Sequence, residues 1–431
     1  MMPAGPLAIA PLHTAPTVTW AVPGSKSLTN RALILAAMAD GRSVLRGVLE
    51  SDDTTHMRAG LEAMGVRIET LSDDCWAVHG GTVTPPEGPI FVGNSGTTVR
   101  FLTALCATLP GTSQLQGDEH MAKRPISDLT DALLQLGVNC DCATGCPPLQ
   151  VHGGTMNGGT VHMRGDRSSQ YFSALLMAGA GAPSPLEIAI DGALVSQPYV
   201  AMTLRMIRDF GGSAEQAPDG FVVQPAAYQA HDYLIEPDAS AASYPLALAA
   251  ASGGTVTVPR LGQHALQGDV AFTEVLAGMG AQVSSSDAGI TVRGPARGQL
   301  RGVDVDMHHI SDTVMSLAAI APLATSPTTI RNVANIRIKE TDRLAATVAE
   351  LRRLGQTVEH GDDWLRISPG PVSAATVECY ADHRMAMSFA ILGLCTPGVT
   401  IADPACVAKT YPRFWADLGA VYRAQEMEVP W

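Results

Sequence analysis

The sequence predicts an α/β protein of two domains, each made of three copies of a unit of about 70 residues. Three observations predict it: the length, a recurring helix–glycine–strand junction, and a set of helices that are apolar on every side. At 431 residues the chain exceeds what one ordinary hydrophobic core serves, so two domains are expected. Six segments run from a helix-like stretch through an apolar residue and a glycine into a strand-like stretch: LEAMGVRIE (61–69), LLQLGVNCD (133–141), MIRDFGGSAE (206–215), VLAGMGAQVS (275–284), LRRLGQTVE (351–359) and FWADLGAVYR (414–423). Each glycine (Gly65, Gly137, Gly211, Gly280, Gly355, Gly419) reads as a helix stop, because only glycine enters the left-handed conformation cheaply. Their gaps of 72, 74, 69, 75 and 64 residues mark an internal repeat. That period suits two helices and about four strands.

The other helix of each unit is predicted over 28–39, 97–107, 170–180, 243–251, 313–323 and 384–393. These stretches are alanine-rich and apolar nearly all round, so each belongs in the middle of a domain. The pattern breaks at LIEPDASAAS (234–243). The expected division is a first domain over 20–237 and a second over 1–19 with 238–431, able to close on a ligand between them.

Composition narrows the function. A net charge of −13 argues against a sequence-independent nucleic-acid binder, which needs a basic face. No run of about 18 apolar residues predicts a membrane span. The first basic residue is Lys26, so no secretory signal is expected. Eight cysteines without a disulfide-scaffold pattern suit a reducing, cytoplasmic setting. Cys140, Cys142 and Cys146 cluster in CDCATGC, but the spacing fits no common zinc site and free thiols at a loop–strand edge are expected. Of 28 basic residues only four are lysine: Lys26, Lys123, Lys339 and Lys409. Each falls in a dense polar stretch, and lysine differs from arginine in being a compact, rotatable charge whose proton can move.

Those polar stretches stand where the apolar helices begin, and helix N-termini attract anions. GSKSLTNR sets Lys26, Ser27 and Arg31 at such a start. A Walker loop is excluded, since Thr19 stands where its first glycine belongs. GNSGTTVR brings Gly96, DEHMAKRP brings Arg124, and DRSSQY brings Ser168, Ser169 and Gln170. Further on come HISDTVMS with Asp312, NIRIKETDR with Asn335, Lys339, Glu340 and Arg343, DHRMAM with Arg384, and AKTYPRF with Lys409. Singly, each also reads as a capped helix or a solvated surface. Together they supply about six cations, several helix starts and at least two carboxylates. That combination suits a multiply charged anion, two phosphates, and acid–base chemistry.

At these residues the sequence resembles the 5-enolpyruvylshikimate-3-phosphate synthases of the enolpyruvyl transferase family. PGSKSLTNRA, GNSGTTVR, KRPISDL, SSQYFSALLMA, KETDRLAA, DHRMAM and AKTYP fall in the family's order, over nearly the whole chain. The resemblance implies a two-domain inside-out α/β barrel of six βαβαββ repeats, three per domain. It implies transfer of the enolpyruvyl group of phosphoenolpyruvate to the 5-hydroxyl of shikimate 3-phosphate, with release of phosphate, domain closure on binding, and no metal or organic cofactor. A monomer is expected. The family's shikimate-phosphate contacts carry over to Lys26, Ser27, Arg31, Ser168, Ser169, Gln170, Ser196 (in VSQPYV), Asp312, Asn335 and Lys339. Its phosphoenolpyruvate contacts carry over to Lys26, Gly96, Arg124, Gln170, Arg343, Arg384 and Lys409. The reaction needs a base at the hydroxyl, an acid at the methylene carbon and cations on the leaving phosphate. Asp312 is the expected base and Glu340 the expected proton shuttle. Lys26 is expected to serve with either, its pKa lowered by surrounding cations.

Two departures stand out. Where the family often reads Gly-Asn-Ala-Gly-Thr-Ala-Met-Arg-Pro, this chain has GNSGTTVRF, so Phe101 replaces the proline that braces the helix behind Gly96. Gly96 remains, and glyphosate sensitivity is expected. Ser311-Asp312 stands for the usual Pro-Asp and keeps the carboxylate. Three other readings are weaker. A UDP-N-acetylglucosamine enolpyruvyl transferase typically has a loop cysteine near Arg124, and none lies between Cys106 and Cys140. A non-catalytic phosphometabolite-binding protein would not need Asp312, Glu340 and Lys26. An RNA 3′-phosphate cyclase would need a nucleotide-binding histidine motif and a basic surface. The first 14 residues carry no interpretable pattern.

Overall fold

The computed structural model describes residues 5–154 and 156–431. The chain forms two compact units, one of Gly24–Ile235 and one of Met1–Pro23 with Glu236–Trp431.

The first unit holds helices α1 (Lys26–Met38), α2 (Asp52–Ala63), α3 (Gly96–Ala107), α4 (Ser127–Gln135), α5 (Ser169–Gly179) and α6 (Gln197–Asp209). α1, α3 and α5 are the apolar ones. Every residue of α3 is buried, and α3 packs directly on α5. Each of the three starts at a serine whose hydroxyl caps it: Ser25 accepts from the Leu28 amide at 3.4 Å, Ser95 from Thr98 at 3.4 Å, and Ser168 from Gln170 at 3.3 Å. Without such caps the first amides of a buried helix would lack acceptors.

Three four-stranded sheets surround these helices, built on one plan. A first strand runs parallel to a second, and the second pairs antiparallel with a hairpin. Gly159–Arg164 lies parallel to Leu186–Asp191, which meets the hairpin Gly220–Gln224 and Ser213–Ala217. Ile90–Phe91 and Gly111–Gln116 repeat this with Leu149–Gly153 and Asn139–Asp141. In the remaining sheet the parallel strand comes from the far end of the unit: Tyr233–Leu234 lies beside Gly41–Arg46.

The second unit holds α7 (Ala239–Ser252), α8 (Phe272–Gly278), α9 (Val314–Ile320), α10 (Arg343–Arg353), α11 (His383–Cys395) and α12 (Phe414–Arg423). α7, α9 and α11 are buried along their whole lengths and pack on one another. The helix expected over 313–323 is shorter than predicted. 3₁₀ turns occupy His308–Thr313 and Ala321–Leu323, and Pro322 prevents the regular helix from running on. Thr17–Thr19 completes the sheet of Thr255–Pro259, again as a parallel strand borrowed from a distant segment.

Gly65, Gly137, Gly211, Gly280 and Gly355 have φ between 78° and 103°, as helix stops require. The sixth junction is a correction. Gly419 sits inside α12, which continues to Arg423 because Val421 and Tyr422 are buried on its inner face. No strand follows it. The sixth sheet has three strands, Ala375–Val377, Val399–Ile401 and Leu7–Ala8, the last pairing antiparallel with Val399–Ile401. The uninterpreted N-terminal stretch therefore has a structural role. Leu7, Ile9 and Leu12 are buried, and Tyr422 donates its hydroxyl to the Ala10 carbonyl at 2.7 Å.

Candidate active site

In the unit of residues 24–235, the expected site residues stand at the N-termini of the three buried helices. Lys26 opens α1, Gly96 opens α3, and Ser169 with Gln170 opens α5 behind the cap Ser168. Ser27 and Ser168 are half-buried. Ser196 begins α6 in the left-handed region, at φ 51°. The three capped starts leave amide groups and positive dipole ends for an anion.

Arg31 lies one turn further into α1 and is buried. Its Nε donates to Thr203 Oγ1 at 2.7 Å, Nη1 to the Ser27 carbonyl at 2.9 Å, and Nη2 to Ser173 Oγ at 3.0 Å and the Tyr199 carbonyl at 3.4 Å. A guanidinium has five N–H donors, so one on Nη1 is left. Among the described residues no carboxylate pairs with it, and burial lowers its pKa to about 10. A buried cation held only by neutral oxygens is a receptor for an incoming anion.

Arg124 is also buried, its Nη1 3.1 Å from the Asn94 carbonyl and 3.2 Å from Asn94 Oδ1. Its guanidinium lies against Gly96, where a Cβ would come within 2.4 Å of Nη2. Gln170 is fixed at both ends of its amide, accepting from Arg100 Nη1 at 2.5 Å and donating to Thr97 Oγ1 at 3.2 Å. Arg100 in turn lies over the Tyr171 ring at 4.9 Å.

The Lys26 ammonium lies 3.2 Å from Asp53 Oδ2. Asp53, which the sequence analysis did not single out, is buried in the first turn of α2.

In the other unit the expected residues converge closely. Asp312 lies in the 3₁₀ turn before α9. Its Oδ1 is 3.2 Å from Arg343 Nη1 and 3.9 Å from Lys339 Nζ, and its Oδ2 is 2.9 Å from Arg384 Nη2. Burial works to raise its pKa, but Arg384, Lys339 and Arg343 outweigh that and hold the carboxyl well below the usual range. Arg343 is gripped by three carboxylates: Asp382 Oδ2 at 2.7 Å from Nε, Glu340 Oε2 at 2.6 Å from Nη2, and Asp312. Asn335 donates to Ser311 Oγ at 3.0 Å, beside Asp312. Lys409 closes a 3₁₀ turn, Pro404–Lys409, and is buried.

Sequence reasoning missed two carboxylates here. Asp382 caps α11 by accepting from the Arg384 amide at 2.9 Å while it holds Arg343. Asp269 is buried, hydrogen-bonded by Ser240, and pushed up to about 6 by burial and by the charge of Asp312. Asp382 stands in the DHRMAM stretch, from which only Arg384 was assigned to the site; nothing in QGDV marked Asp269. Among the described residues no group of three His, Cys, Asp or Glu side chains could hold a metal. Cys142 donates its thiol to the Cys146 carbonyl at 3.3 Å, and burial raises the pKa of Cys140, Cys142 and Cys146.

Cations on helix starts, beside carboxylates already paired to cations, can bind a polyanion and exchange protons with it. Comparison with known proteins agrees. The profile of the EPSP synthase (3-phosphoshikimate 1-carboxyvinyltransferase) family matches residues 15–418. A 3-phosphoshikimate 1-carboxyvinyltransferase of Nostoc punctiforme is 44% identical over 414 residues, covering 94% of this chain and 97% of its own. One from Edwardsiella ictaluri is 46% identical over 411 residues, covering 93% and 95%. Among solved structures, an EPSP synthase from Acinetobacter baumannii superposes with a TM-score of 0.82 at 24% identity, over 97% of this chain and 98% of that one. An enolpyruvyl transferase from Streptomyces tendae gives 0.78 at 20% identity, over 97% and 98%. These two likenesses establish the enolpyruvyl transferase fold.

Proposed function

The chain belongs to the EPSP synthase family, and we propose that it joins phosphoenolpyruvate to the 5-hydroxyl of shikimate 3-phosphate through the residues described above. The observation that carries the assignment of roles is the locking of Asp312 to Arg343 and Arg384. An aspartate paired to two guanidiniums is a poor base. The carboxylate of phosphoenolpyruvate is the natural competitor for the same two arginines, since guanidinium forks bind carboxylates in pairs. When it binds, Asp312 is released and its basicity rises, so the base is armed only when the second substrate is present.

The steps then balance. A proton adds to the methylene carbon of phosphoenolpyruvate, the 5-oxygen bonds to the adjacent carbon, and Asp312 takes the hydroxyl proton. The tetrahedral intermediate loses phosphate, and the new methyl group returns a proton. Glu340, on Arg343, is the carboxyl for the carbon proton, assisted by Lys26. Arg124 and Lys409 steady the phosphate. Ser27, Arg31, Ser168, Ser169, Gln170, Ser196, Asn335 and Lys339 are the residues assigned to shikimate 3-phosphate. Gly96 lets the Arg124 guanidinium lie against the start of α3, and the two are assigned together to phosphoenolpyruvate. The enzyme acts as a cytoplasmic monomer without a cofactor.

Phosphate release from phosphoenolpyruvate, measured with and without shikimate 3-phosphate in chelator-treated buffer, tests this. Release that requires shikimate 3-phosphate is the expected outcome. Binding of both ligands by calorimetry with no release would leave a binding protein instead.

A further inference from the structure

Phe101 is one of the two departures noted from the pattern of the family that the sequence resembles. It lies on α3, fully buried, with its ring under the Arg31 guanidinium and Cζ 5.2 Å from the ring centroid. Arg31 has neutral oxygen acceptors in the plane of its guanidinium and no carboxylate partner among the described residues. The aromatic face is an electron-rich surface set against the plane itself, and a ring quadrupole attracts a desolvated cation more strongly than a hydrated one. Proline, or an aliphatic side chain, has no such face.

We infer that Phe101 is a positioning residue for shikimate 3-phosphate: its ring fixes where the Arg31 guanidinium lies, with its remaining Nη1 donor available to an anionic group of that substrate. This rests on the proposed role of Arg31. Phe101 touches neither substrate; it acts through the arginine alone. Its effect should therefore fall on the substrate that Arg31 holds and not on phosphoenolpyruvate, which is assigned to other cations.

The test is calorimetric binding of shikimate 3-phosphate to the full chain. Phe101→Leu should weaken binding about five- to thirtyfold, the range that a desolvated cation–π contact of about 1 to 2 kcal/mol converts to. Phe101→Tyr should stay within threefold of the parent. Because a buried leucine could disturb packing, 3,4,5-trifluorophenylalanine at position 101 is the second variant. It keeps the ring's shape and drains its negative face, so it should weaken binding several-fold while the melting temperature holds. In an Arg31→Met background, Phe101→Leu should have no further effect on binding. If Arg31→Met binds shikimate 3-phosphate as tightly as the parent, the role of Arg31 falls. If Arg31→Met weakens binding but the fluorinated ring does not, Arg31 stands and the inference about Phe101 is overturned.

Discussion

At the scale of single residues, the charges around Asp312 are already satisfied by one another. Asp312→Asn removes the anion that occupies Arg343 and Arg384 in the free protein. The variant should bind phosphoenolpyruvate a few-fold more tightly while turnover falls about 10²- to 10⁴-fold, as expected on loss of a general base. Tight binding with normal turnover would remove Asp312 from the chemistry. Gly96→Ala would push a methyl group to 2.4 Å from Arg124 Nη2. Since the side chain's end must yield, the Michaelis constant for phosphoenolpyruvate should rise about tenfold with that for shikimate 3-phosphate within twofold. Equal increases in both would show that Gly96 serves the helix and not the arginine. The cations of this site were legible in the sequence because they sit in dense polar stretches beside apolar helices. Their counter-ions were less so. Asp53 and Asp269 come from segments distant in sequence, and a lone aspartate at a helix start looks the same whether it faces solvent or a half-buried lysine.

At the scale of elements, the repeat was read from glycines and was legible wherever a glycine had to be left-handed. Five of the six junctions depend on that conformation, which is a local property of the chain. Gly419 failed as a signal because helix continuation was decided by tertiary burial of Val421 and Tyr422, which no local rule contains. The three-stranded sheet that results leans on the N-terminal strand. Ile9 is buried, donates its amide to the Val399 carbonyl at 2.9 Å, and rests on α11, where a Cβ at Gly393 would stand 2.6 Å from Ile9 Cβ. Ile9→Ala should lower the unfolding free energy by about 2 to 5 kcal/mol, the cost of a large-to-small change in a packed core. A loss below about 1 kcal/mol in urea titration would mean that this strand is an appendage. Conversely, the borrowed strands Thr17–Thr19 and Tyr233–Leu234 left no sequence signal at all, being only 3 and 2 residues long.

At the scale of the whole molecule, buried carboxylates couple stability to pH in a direction opposite to simple acid denaturation. Asp269 has its pKa raised from the ordinary 3.8 to about 6 by burial and by Asp312, with Ser240 and Arg384 pulling the other way and Asp238 adding to the rise. Between those values the folded state binds more protons than the unfolded one, so stability falls as pH rises through the window and then levels off. Asp312 works with the opposite sign, its stabilising contribution being lost only as pH drops below the ordinary carboxylate range. Urea unfolding of Asp269→Asn against the parent at several pH values should therefore show the variant gaining ground from pH 4 to pH 6 and a constant difference beyond. A flat difference across that range would mean that Asp269 keeps an ordinary pKa. The last sheet sets a further condition, on synthesis. Gly24–Ile235 is contiguous and is complete as soon as it leaves the ribosome, whereas Leu7 must wait for Ile401. At ~5–20 residues per second that wait is roughly 20 to 80 seconds. In the later part of that wait, after Ile235 has emerged, the segment around Leu7 is an unpaired apolar stretch tethered to a finished neighbour, and a holding chaperone would have reason to cover it.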